Sequence, residues 1–176
     1  MMRESGGVRG GVYNRAVASP DPGTVFPIHE LRTEKGEGAP SAPGEALYAF
    51  FHTECPTSEM AIPFLERLRA IGEDRGLTVV AVSQDDPHET EEFRRRLGVR
   101  VDTLYEPPPW KASEALGLAS VPTFVSVGVT GRVEKLVVGF QKERLEAYAE
   151  RAAALAGRPS RPFFRPEENV PAIRPG

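Results

Sequence analysis

A chain of 176 residues with one cysteine, Cys55, cannot build an internal disulfide framework, and that single thiol fits a reducing compartment. An intermolecular bridge through Cys55 stays open, and with it a homodimer. No stretch approaches the ~20 apolar residues of a membrane span. The first residues, MMRESGGVRGGVYNRAVASPDPG, lack the apolar core of a signal peptide. Together these absences predict a cytoplasmic protein with no membrane partner. No run of Lys and Arg is interleaved with aromatics, and the formal net charge is -3, so nucleic acid is not an expected partner. Cys55 and the three histidines, His29, His52 and His88, show no metal-ligand spacing. No metal and no other cofactor is expected, and no internal repeat is visible.

What is present suffices for one ordinary core: 40% of the residues are hydrophobic and 27% charged. Gly and Pro punctuate the chain into a flexible segment over 1–23, a domain over 24–157 and a Pro-rich tail over 158–176. Residues 24–31, TVFPIHEL, contain Pro27 and read as an edge strand at best. The run ALYAFF over 46–51 suits a central strand buried on both faces. Ala61, Phe64, Leu65, Leu68 and Ile71 recur at helical spacing over 56–75, with a bend at Pro63 and a stop at Gly76. A strand over 77–82 follows. Asp86, Pro87 and Glu89 then open a helix to Leu97, which Gly98 stops. A short segment over 101–105, a short helix over 110–116, a hairpin of 123–127 with 132–138 and a final helix over 141–156 complete the order. This alternation predicts an α/β architecture with a mixed sheet flanked by helices. In the tail, Phe163, Phe164, Val170 and Ile173 can strap onto the domain or a neighbour, while a loosely ordered terminus is the alternative.

The chemistry concentrates in FFHTECPTSEMAIP, residues 50–63, where Cys55 lies between the apolar strand and the amphipathic helix. Unpaired N–H groups at a helix start favour the thiolate, which is the nucleophile. Glu54 and Glu59 oppose it with like charge. Ser58, three residues on, shares a helix face with Cys55 and offers a hydroxyl to it. A hydroxyl cannot attack a disulfide, so a mixed disulfide at Cys55 needs an outside thiol. His52 reads as a polar residue at the strand end.

Cys55-Pro56-Thr57-Ser58, with Pro63 beyond it and Val121-Pro122-Thr123 downstream, resembles the thioredoxin superfamily, most closely its TlpA-like redoxin branch, with CxxS in place of CxxC. The resemblance covers about residues 46–157 and implies a thioredoxin-like fold, extended at the N-terminus by a strand over 24–31. It implies a cis Pro122 facing Cys55, with the Val121 backbone offered to an extended substrate. The implied catalytic set is Cys55, Ser58 and Pro122, and the implied substrate contacts are Val121, Pro56 and Thr57. Ala49 stands where thioredoxins have a buried acid, Glu54 where they have an aromatic, and Ala61 where many TlpA-like proteins have an acid. Glu59 and His52 are the titratable groups left nearby.

Three functions follow as expectations. The first is a monothiol thiol-disulfide oxidoreductase that forms mixed disulfides through Cys55, with protein thiols or disulfides, or a low-molecular-weight thiol, as partners. The second is a binding module of thioredoxin fold in which Cys55 does no chemistry. The third is a one-cysteine peroxidase, suggested by TECPT. The P-x-x-x-T-x-x-C arrangement of peroxiredoxins is not met by Thr53, two residues before Cys55.

Overall fold

The computed structural model describes residues 20, 21, 23–72 and 75–176. Most of the expected flexible segment, together with Glu73 and Asp74, lies outside the described residues.

Strand β1, Ala46–Phe51, is buried at every position, as an apolar run covered on both faces requires. It pairs in parallel with β2, Thr78–Ser83, which pairs in parallel with β3, Asp102–Tyr105. On its other side β1 runs antiparallel to β4, Thr123–Val127, and β4 antiparallel to β5, Val133–Val138. The sheet order is β3-β2-β1-β4-β5, a mixed sheet with β1 at its centre.

Alternating side chains of β1 divide the core. Leu47, Ala49 and Phe51 pack with Ala61, Leu65 and Leu68 of helices α1, Pro56–Ala61, and α2, Pro63–Gly72, and with Leu145, Ala149 and Ala152 of α5, Lys142–Leu155. Ala46, Tyr48 and Phe50 face the opposite layer, with Phe26, Leu31 and the Ala112 and Leu116 side chains of α4, Lys111–Leu116. Helix α3, Pro87–Leu97, starts where Asp86 Oδ1 accepts the Glu89 N–H at 2.9 Å and ends at Gly98.

Two expectations change on the structure, the undivided first helix and the N-terminal strand. The helix foreseen over 56–75 is divided at Pro63, which has no N–H to continue the ladder, although Ile62 keeps helical angles of -59° and -38°. The described part of helix α2 runs to Gly72. A methyl group on Gly76 would sit 2.5 Å from Gly72 Cα, so this pair of glycines lets the chain double back into β2.

The N-terminal strand over 24–31 is not formed. Val25 makes a single bridge to Arg132, and after Pro27 the chain turns into a 3₁₀ helix over Ile28–Glu30. Burial of Phe26 and Leu31 fixes this segment instead, with Phe26 stacked 4.1 Å from the Tyr48 ring.

The tail is packed on its own domain. Phe163 and Phe164 are buried against Phe64, and Arg67 forms a two-toothed ion pair with Glu168 beside a 3₁₀ turn over Pro166–Glu168. Strand β7, Ile173–Arg174, then pairs antiparallel with β6, Phe140–Gln141. The prolines that exclude long regular elements leave room for these two short ones.

Candidate functional site around Cys55

Strand β1 delivers the chain into a tight loop, His52 to Glu54, and Cys55 becomes the N-cap of α1 with extended angles of -82° and 116°. Pro56 suits the first helical position because its missing N–H would have no partner there. Cys55 Sγ accepts the Ser58 backbone N–H at 3.4 Å and lies 3.3 Å from the Val121 carbonyl oxygen, to which a thiol donates. Cys55 is partly buried.

Ser58 is fully buried, and its Oγ has no hydrogen-bond partner among the described residues. The sulfur is therefore met by the Ser58 backbone and not by its hydroxyl. Thr57 is also buried, and its Oγ1 donates to the Pro175 carbonyl at 2.6 Å. Pro56 is exposed at the start of the helix. The Val121–Pro122 peptide bond is cis, as the family resemblance implies, and so is Pro108–Pro109. The Pro122 carbonyl accepts the Gly139 N–H at 2.8 Å, which joins the Pro122 loop to the β5–β6 corner.

A second network fixes the loop ahead of the sulfur. Asp85 accepts the Thr53 N–H at 2.7 Å through Oδ2, and its Oδ1 lies 3.0 Å from His52 Nε2. His52 Nδ1 accepts the Glu54 N–H at 3.2 Å, so the ring hydrogen belongs on Nε2, facing Asp85. The Asp85 side chain is only 5% exposed and is the residue of this candidate site that sequence reasoning missed. Its position two residues past the end of β2, whose neighbour β1 ends at the Cys55 loop, is the signal that finds it once the parallel pairing is known. Glu59, by contrast, is engaged by Arg96. Ala49 and Ala61 are fully buried and pack in the apolar layer with Leu47, Phe51, Leu65 and Leu68.

Two clefts flank the loops of the site. One of about 510 Å³ is lined by His52, Thr53, Glu54, Asp85, Glu89, Glu92, Phe93 and Arg96, and another of about 380 Å³ by Gln84, Trp110, Ser113 and Val121 among others. At the edge of the second, Glu106 is buried but satisfied: it accepts the Ser113 N–H and hydroxyl, both at 2.6 Å, and the Gln84 amide at 3.0 Å. That carboxylate holds the start of α4 in place. A larger cleft of about 640 Å³ lies between α2, α5 and the tail and includes none of the residues around Cys55. No group of three or more His, Cys, Asp or Glu side chains suited to a metal ion occurs among the described residues. No helix among them is long and apolar enough to cross a membrane.

A central mixed sheet, a cysteine where the middle strand meets a helix, and a cis-proline loop touching that cysteine define a thioredoxin-like α/β protein. At the family level its sequence is similar to thiol-disulfide oxidoreductases. The chain is 24% identical over 124 residues to the thiol-disulfide oxidoreductase ResA of Geobacillus thermodenitrificans, covering 69% of this chain and 67% of that protein. It is 25% identical over 117 residues to ResA of Halalkalibacterium halodurans, covering 66% of this chain and 62% of that protein, thus less than two thirds of its length. No family model matches. Among solved structures, a putative thiol:disulfide interchange protein DsbE from Chlorobium tepidum superposes with a TM-score of 0.67 at 21% identity, covering 79% of this chain and all of the other.

Proposed function

We propose that this protein is a monothiol thiol-disulfide oxidoreductase acting through Cys55. The observation that carries the reading is the sulfur's position, 3.3 Å from the Val121 carbonyl beside cis-Pro122, with Ser58 where a resolving cysteine would stand. The Cys55 thiolate attacks one sulfur of a substrate disulfide, forming a mixed disulfide and releasing the other sulfur as a thiolate that takes up a proton. An outside thiolate then attacks the substrate-side sulfur of that bond and frees Cys55, so two electrons pass from the outside thiol to the original disulfide only when a second thiol completes the exchange. Ser58 takes no part in bond exchange, and a reducing compartment such as the cytoplasm supplies the thiol.

Alkylation of Cys55 as a function of pH, followed by mass spectrometry after exposure to oxidised glutathione, tests this. Rapid alkylation and a reversible glutathione adduct, both absent in Cys55→Ser, are the expected results. A sulfur that forms no adduct with the disulfide overturns the reading. Ala49 and Ala61, fully buried at positions where the resemblance would place acids, support a second reading as a peptide-binding module. Partner capture that is unchanged in Cys55→Ser would favour it.

A further inference from the structure

The groove beside Cys55 is already filled. Residues 172–176 of the same chain lie along it as an extended segment: β7 pairs with β6, the Lys142 N–H donates to the Ala172 carbonyl at 2.9 Å, and the Thr57 hydroxyl donates to the Pro175 carbonyl at 2.6 Å. Gly139, at a φ of 71°, lets this segment approach so closely that any side chain there would meet the Arg174 carbonyl and Pro175 Cα. Gly176 reaches the cis-proline loop, where a side chain on it would run into the Val121 carbonyl, the same oxygen that faces Cys55 Sγ. On the opposite side, the Arg174 guanidinium lies 3.7 Å from Met60 Sδ on α1.

These contacts are mostly main-chain, with a small residue set over Val121. They are the contacts that an extended peptide would make by adding a strand to β6, with its end laid against the Val121 carbonyl. We infer that residues 172–176 are an intramolecular pseudosubstrate, and that the partner this groove fits is an extended peptide with a small residue over Val121, which reaches Cys55 by displacing them. The inference rests on Cys55 being the exchanging thiol. The strap is held from its far end by the Arg67–Glu168 ion pair, so displacement peels residues 172–176 away while Phe163 and Phe164 stay anchored.

Two single substitutions in the 176-residue chain test this from separate places. Thr57→Val removes the hydrogen bond to Pro175 at the groove, and Glu168→Gln removes the charge at the remote anchor. Iodoacetamide alkylation of Cys55, compared at the high-pH plateau where the thiol is ionised in every form, reads access alone. The rate should rise about fivefold in Thr57→Val, the worth of one lost hydrogen bond. It should also rise, by less, in Glu168→Gln, with faster amide exchange over residues 172–174 in both. Equal rates in the parent and both variants, with unchanged exchange, overturn the pseudosubstrate. If a glutathione adduct still forms on Cys55 under those equal rates, the exchange reading survives the loss. Faster alkylation with no adduct in any form upholds the strap and removes the exchange reading.

Discussion

Asp85 and His52 meet at 3.0 Å across the gap between two parallel strand ends, and the second oxygen of the same carboxylate takes the Thr53 N–H at 2.7 Å. One side chain just past the end of β2 thus sets both the ring and the backbone of the loop that carries Cys55. The Asp85 side chain is almost wholly buried, so its loss leaves the Thr53 N–H without its acceptor, while water can replace the carboxylate at the His52 ring, whose side chain is 40% exposed. Such a backbone orphan costs about 1–3 kcal/mol.

Asp85→Ala should therefore destabilise the fold by about 1–3 kcal/mol, the cost of the orphaned Thr53 N–H. Chemical denaturation measures it. Adduct formation with oxidised glutathione should also slow under conditions where the variant is fully folded, because the loop no longer fixes the cysteine. An unchanged denaturation midpoint would show that solvent replaces the carboxylate at the Thr53 N–H as well.

Ser58 presents the reverse situation, a fully buried hydroxyl whose oxygen has no partner among the described residues. A thiol behaves there as a small apolar group, so Ser58→Cys should leave the reduced protein within about 1 kcal/mol of the parent. Residues three apart at a helix start lie about 5 Å apart, within the span a disulfide bridges. The new thiol should resolve the Cys55 glutathione adduct within the chain and leave an intramolecular disulfide, seen as the loss of one glutathione in the mass spectrum. An adduct on Cys55 as persistent as in the parent would show that position 58 cannot reach it.

The central architecture was legible because it is written in local patterns. Six consecutive apolar residues over 46–51 announced a strand covered on two faces, Asp86-Pro87 announced a helix start, and Pro63 marked the break in the first helix. Cys55 stood out by its place between a strand and a helix. Pro122 stood out through family resemblance, since no local pattern distinguishes a cis X-Pro bond from a trans one. What stayed hidden depends on contacts far apart in sequence. Asp85 lies 32 residues from Thr53, and Pro175 lies 118 from Thr57, so no periodicity records either bond. The segment over 24–31 misled because its apolar residues serve burial of Phe26 and Leu31, while Pro27 and the 3₁₀ turn remove the ladder that a strand would need.

Acid should release the strap at its anchor. The Glu168 carboxyl is held down to about 2 from an ordinary 4.5, first by its hydrogen bond from Arg67 and next by the Arg165 backbone N–H. A carboxyl with a lower value in the folded chain contributes stability that is fully present above about pH 4.5 and fades as pH falls towards about 2. Melting temperatures of the parent and Glu168→Gln should thus differ by a constant amount above pH 4.5 and converge by about pH 2. Salt should reduce the difference, because the pair lies at the surface. A gap that holds its size at pH 2 would mean that the glutamine variant disturbs packing and not charge.

Beyond that anchor, the tail contributes to the core itself. Phe164 is 5% exposed, and its ring centroid lies 5.0 Å from Phe64, 6.1 Å from Phe140 and 4.9 Å from Phe163, all edge-on, with the Lys142 ammonium 5.4 Å from the ring. Removing the ring leaves a cavity between α2 and β6 that four surrounding groups cannot collapse to fill. Phe164→Ala should cost about 3–5 kcal/mol, as for other buried aromatic truncations, and Phe164→Leu about half of that because most of the volume remains. Urea unfolding curves give both values. A loss below about 1 kcal/mol in the alanine variant, the size of an ordinary surface change, would make residues 158–176 a superficial wrapping. The larger loss would mean that the anchor of the strap and the core of the domain unfold together, so that only residues 172–176 are free to leave the Cys55 groove while the protein stays folded.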